Sequence, residues 1–140
     1  MLERLVLLVV IALLIALGTL AIRAWSTRRV AIVRQSSTGL WPALGEQPDG
    51  RPTLVVFSTP ACVACRTAQE PAVQAVRGRF GEALRVVHVD IGQRPGAARA
   101  FKILTAPSTV VLNADGQVQS VNQGFATADH LVAQLTAASA

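Results

Sequence analysis

Cys62 and Cys65 are the only thiols among 140 residues, and they stand three apart just beyond the apolar run Thr53-Leu54-Val55-Val56-Phe57. Three residues apart on a helix, two sulfurs lie on one face within reach of each other, so the pair can close a disulfide and reopen it. A thiol attacks only as thiolate, and an ordinary cysteine near neutral pH is mostly protonated. A helix beginning at Cys62 corrects this, because its free N–H groups and the positive end of its dipole stabilise negative charge on that sulfur. Cys62 is the expected nucleophile and Cys65, one turn further in, the resolving thiol of a disulfide exchange. His88 is a candidate proton acceptor, with a solvated histidine at a strand end as the alternative, and His130 reads as surface. Two thiolates plus His88 fall short of a four-ligand structural zinc site unless two chains share the ion, so no metal is expected.

The elements that must position this pair follow in order. Thr53 to Phe57 has the unbroken β-branched and aromatic pattern of a central strand covered on both faces. A helix of roughly 18 residues follows from Cys62, with Ala68, Ala72, Val73, Val76 and Phe80 as its apolar stripe and Pro71 expected to kink it. Leu84 to Val89 is a second strand and Pro95 to Phe101 a short helix. Ala106-Pro107-Ser108 leads into the strand Thr109 to Leu112, and Asn113-Ala114-Asp115-Gly116 turns the chain back into an antiparallel strand, Gln117 to Asn122. After Gly124, Thr127 to Ala138 closes the domain as a helix capped by Thr127, with Leu131, Val132 and Leu135 facing inward.

Leu5 to Ile22 is uncharged throughout, and as a helix it spans roughly 27 Å, enough for a hydrocarbon core. It is too long for a cleaved secretory signal and ends in Arg23. Residues 1–25 are therefore expected to form a single-pass anchor in the cell membrane, with Trp25 at the interface. Residues 26–50 read as a linker, with Val30-Ala31-Ile32-Val33 as a first edge strand and Leu40 to Leu44 as an apolar patch on the domain that begins at residue 51. Arg23, Arg28, Arg29 and Arg34 follow the apolar run, against Arg4 and Glu3 before it, which favours the domain on the cytoplasmic face over the extracytoplasmic alternative.

Residues 51–140 carry eight basic and five acidic side chains, scattered and without interleaved aromatics, so nucleic acid is not an expected partner. With two cysteines there is no structural disulfide framework to indicate an oxidising compartment.

From Thr53 to the C-terminus the chain resembles the thioredoxin family. The resemblance rests on Phe57, Cys62-x-x-Cys65 at a strand-to-helix junction, Gln93-x-Pro95-Gly96, Ala106-Pro107-Ser108, Asp115-Gly116 and Gly124. It implies an α/β fold, a three-layer sandwich with a mixed central sheet flanked by helices, here preceded by one transmembrane helix. It implies that Pro107 follows a cis peptide bond beside the cysteines and that Ala61, Ala106, Pro107 and Gly124 contact substrate. No cofactor beyond a redox-active Cys62-Cys65 disulfide is implied, and the partners are protein dithiols or disulfides and a redox donor.

The implied activity is thiol-disulfide oxidoreduction by an anchored enzyme, as a reductase of protein disulfides. The alternative is a non-catalytic interaction subunit of a membrane complex. Departures from the family pattern bear on the chemistry. Val56 stands where many members have a buried carboxylate, His88 where its lysine partner often lies, Ala61 at the usual tryptophan and Val63-Ala64 at the usual Gly-Pro. Pro71 lies one residue further along its helix than the family places it.

Overall fold

A computed structural model describes residues 1–35 and 37–139, with side chains outside 26–39. The chain divides into two compact units, Met1–Ile32 and Val33–Ala140. Helix α1 runs Leu2–Gln35. Its stretch Leu2–Trp25 has a mean hydropathy of 3.2 over the apolar window and buries none of it, so it is long and apolar enough to cross a membrane.

Residues 30–33, expected as an edge strand, are helical instead. No Gly or Pro lies between Gly18 and Gly39. Extending an existing helix satisfies one more backbone bond per residue, whereas a strand at that point needs a partner.

The second unit is built on a four-stranded mixed sheet in the order β2-β1-β3-β4. Its strands are β1 (Thr53–Ser58), β2 (Arg85–Asp90), β3 (Ser108–Leu112) and β4 (Val118–Gln123). β1 runs parallel to β2 and antiparallel to β3, and β4 completes a hairpin with β3. Thr53 to Phe57 are all buried, as an unbroken apolar run demands of an interior strand. Alternate residues then serve opposite layers.

Leu54 and Val56 pack with Val111 against Val73 and Val76 of α3 (Glu70–Phe80) and Leu131 and Leu135 of α5 (Ala128–Ser139). Val55 and Phe57 pack with Val87, Val89 and Val110 against Ala97 and Ala98 of α4 (Pro95–Ala100) and Leu40, Trp41 and Leu44 of α2 (Ser37–Leu44). Phe57 meets Phe101 with ring centroids 5.6 Å apart and planes tilted 59°, the geometry that aromatic quadrupoles favour. The three-layer sandwich is therefore present, with helices on both faces of a mixed sheet.

The segment before β1 is pinned by polar bonds as well as apolar burial. Trp41 Nε1 donates to the Gly116 carbonyl at 2.9 Å, and Arg94 donates to the Leu44 carbonyl at 2.8 Å. Arg85 pairs with Glu46 and lies 5.8 Å from the Trp41 ring centroid. Gly116 turns the hairpin at φ +80°, and a Cβ there would lie 2.5 Å from Trp41 Nε1, so the position accepts no side chain without displacing the indole. Nearby, the hydrogen bonds that Arg51 donates to the Asp49 carboxylate hold that carboxyl below its ordinary range. Thr127 caps α5 as expected, its hydroxyl accepting from the His130 N–H at 3.3 Å.

The helix after the cysteines departs from the simple kink expected at Pro71. Residues 63–80 are helical throughout, but Cys65–Gln69 form a π turn, and the Glu70 N–H bonds the Cys65 carbonyl. Proline has no N–H to return to a carbonyl one turn back. The wider turn inserts one residue immediately ahead of Pro71, the second residue of the regular segment α3. That insertion accounts for Pro71 lying one position late.

The last residue of the π turn, Gln69, is only 1% exposed. Its side-chain amide donates to the Ala126 carbonyl at 3.1 Å and accepts from the Ala126 N–H at 3.0 Å. Both backbone groups of Ala126 thus depend on one side chain. Gln69→Leu keeps the approximate shape and strands them, which is expected to lower the unfolding free energy by about 1–3 kcal/mol. Urea denaturation of the full chain in detergent reads this, and a loss under about 0.5 kcal/mol would contradict the clamp.

Candidate active site

Strand register brings the chemistry-bearing segments to one edge of the sheet. Phe57 at the end of β1 is paired with Ser108 at the start of β3, and Ser108 with Gln123 at the end of β4. The loop carrying Cys62, the turn carrying Pro107 and the bend at Gly124 therefore all leave the sheet at the same end. Gln123 ties the end of β4 to the segment before Pro107, its side-chain oxygen accepting from the Leu104 N–H at 3.1 Å and its nitrogen donating to the Lys102 carbonyl at 2.9 Å. Gly124 follows at φ +91°, a conformation that side-chain-bearing residues rarely adopt.

Cys62 and Cys65 are joined in a disulfide, with Cα atoms 5.3 Å apart. Their environments differ. Cys62 is half-buried in the loop end, whereas Cys65 is 6% exposed at the start of the π turn. The Cys62 N–H bonds the Thr59 carbonyl at 3.1 Å, and the Cys65 N–H points at Cys62 Sγ, also at 3.1 Å. A backbone donor aimed at a sulfur from the first turn of a helix favours the anionic form of that sulfur over the neutral one. Arg66 donates to the Pro60 carbonyl at 2.9 Å and so braces the same loop from the helix side.

The Ala106-Pro107 peptide bond is cis. Of the four expected substrate contacts, Pro107 is buried, Ala106 and Gly124 are half-buried and Ala61 is exposed. Pro107 contributes no backbone N–H.

His88 lies elsewhere in the site. It pairs in register with Val56 on the face of the sheet that α3 covers, and its Nδ1 is 4.0 Å from a carboxylate oxygen of Glu70. A cleft of about 230 Å³ opens there, lined by Val56, Cys65, Arg66, Glu70, His88 and Asp90 among others. His130 is exposed on α5 with its Nε2 3.0 Å from Gln134. Among the described residues no three His, Cys, Asp or Glu side chains converge as a metal site.

Two side chains of this region escaped the sequence reading. Gln69 was visible there only as a polar interruption of an apolar helix stripe. Glu70 had no signal at all, because five residues along a regular α-helix is about 140° away from Cys65.

The thioredoxin family's sequence profile matches residues 46–137. No curated protein matches the chain at a significant level. Among solved structures, a thioredoxin from Fasciola hepatica is 24% identical with a TM-score of 0.56, over 64% of this chain and 83% of that one. The MTB dsbF structure, in mixed oxidized and reduced forms, is 20% identical with a TM-score of 0.54, over 64% and 82%. A thiol:disulfide interchange protein of the thioredoxin family from Chlorobium tepidum is 20% identical with a TM-score of 0.52, over 64% and 80%. At these identities the structural likeness speaks for the fold alone. The family match spans well over half of the sequence and includes both cysteines and the cis proline, and the chain belongs to the thioredoxin family.

Proposed function

We propose that this protein is a membrane-anchored thiol-disulfide oxidoreductase that reduces disulfides of protein substrates. The observation that carries the proposal is the asymmetry of the disulfide: a half-buried Cys62 whose sulfur faces the Cys65 N–H at 3.1 Å, and a Cys65 that is almost wholly buried. That arrangement separates the two roles the chemistry needs. The reduced Cys62 thiolate attacks one sulfur of a substrate disulfide, forming a mixed disulfide and releasing the other substrate sulfur as a thiolate. Cys65 then loses its proton and attacks Cys62 Sγ, which closes the Cys62-Cys65 bond and frees the second substrate sulfur. A redox donor must return two electrons to the pair. The cysteines themselves are the redox group, and the mechanism calls for no other cofactor.

Ala61, Ala106, Pro107 and Gly124 act as the substrate-contacting rim. An extended substrate segment pairs along the backbone at Ala106, beside Pro107. The apolar stretch of α1 anchors the protein in the cell membrane. Arg23, Arg28, Arg29 and Arg34 hold their end of that span on the cytoplasmic side, which places the cysteines in a reducing compartment suited to a reductase.

Two measurements test this. Insulin reduction by the full chain in detergent, with a chemical dithiol as donor, is expected to fall by about two orders of magnitude or more in Cys62→Ser and Cys65→Ser; equal activity in parent and variants would remove the enzyme reading. In intact cells, a membrane-impermeant thiol reagent is expected to leave reduced Cys62 unlabelled until the membrane is opened. Labelling from outside would overturn the cytoplasmic placement.

A further inference from the structure

We infer that Glu70 and His88 form the route by which the Cys65 proton leaves, with the π turn as the device that brings Glu70 into position. The inference rests on the exchange reading above and concerns its second step. Cys65 is buried, and a buried thiol resists ionising unless a base can take its proton. Val56, beneath it on β1, offers none. The cleft that Cys65 lines does.

Four charged or titratable side chains share that cleft with Cys65: Arg66, Glu70, His88 and Asp90. Two of them hold backbone. Arg66 donates to the Pro60 carbonyl, and Asp90 accepts from the Gly92 and Gln93 N–H groups at 2.8 and 3.2 Å. Glu70 and His88 face each other at 4.0 Å. Gln74 donates to the other Glu70 oxygen at 2.7 Å, which fixes the carboxylate with its free oxygen toward the imidazole.

Helix geometry explains why Glu70 is available. On a regular α-helix the fifth residue after Cys65 points about 140° away. In the π turn the Glu70 N–H bonds the Cys65 carbonyl directly, which swings residue 70 back over Cys65 and into the cleft. At about 30 Å³ per water, a cleft of about 230 Å³ holds several waters and reaches solvent past the half-exposed His88 ring.

The step balances as follows. The proton on Cys65 Sγ passes through cleft water to the His88 imidazole, which Glu70 orients and, once it is charged, stabilises. The Cys65 thiolate attacks Cys62 Sγ, the bond between Cys62 and the substrate sulfur breaks, and its electron pair leaves on the substrate thiolate. His88 is the acceptor and Glu70 a positioning residue.

The test separates capture from release. The reduced full chain in detergent is mixed with a disulfide-bridged peptide, quenched in acid at short times and weighed by mass spectrometry, which resolves the mixed disulfide from the closed Cys62-Cys65 pair. In Glu70→Gln and His88→Asn, the ratio of release rate to capture rate is expected to fall at least about tenfold near pH 7. The defect should shrink to under about threefold near pH 9, where hydroxide in the cleft water takes the proton in place of the relay. Ratios matching the parent in both variants, or a defect equally large at both pH values, would overturn the relay. A parent that captures no peptide removes the exchange reading itself, and the relay with it.

Discussion

A sulfur at the end of a strand exchanges disulfides only if negative charge on it is stabilised while it remains reachable. The contact that meets both demands here is the Cys65 N–H directed at Cys62 Sγ across 3.1 Å. Its geometry requires that a helix begin immediately after a rigid strand, and β1 supplies the rigidity through burial on both faces. The strands beside β1 then deliver Pro107 and Gly124 to the same edge by register alone.

The proline six residues after Cys65 imposes the second constraint. Because Pro71 cannot donate a hydrogen bond, the helix widens into a π turn between Cys65 and Gln69. Two contacts of the site follow the π turn directly. It seats the Gln69 amide on both backbone groups of Ala126, which fixes the loop between Gly124 and α5. It also places Glu70 over the cleft behind Cys65. A regular helix would turn Glu70 about 140° away from Cys65, so the accommodation of the proline is coupled to the organisation of the site.

Much of this was readable from residue order. The run Thr53 to Phe57, the hairpin at Asn113 to Gly116 and the capped helix after Gly124 are local signals, and each produced the element it announces. The cis peptide bond before Pro107 was legible only through the family resemblance, and the structure has it. Two features were out of reach for physical reasons. Val30 to Val33 has strand-forming side chains, yet α1 continues through it because nothing breaks the helix and no strand lies there to pair with. The π turn depends on how a whole helix accommodates one proline, and Glu70 becomes a neighbour of Cys65 only through it.

The central claim is that Cys62 captures substrate sulfur and Cys65 releases it. Trapping in cells tests this most directly, because a chain with Cys65→Ser retains the attacking thiol and loses the releasing one. The account predicts protein adducts that accumulate on this variant, dissolve under reducing agent, and are absent from Cys62→Ser. An absence of reducible adducts on Cys65→Ser, or equal adducts on both variants, would contradict it.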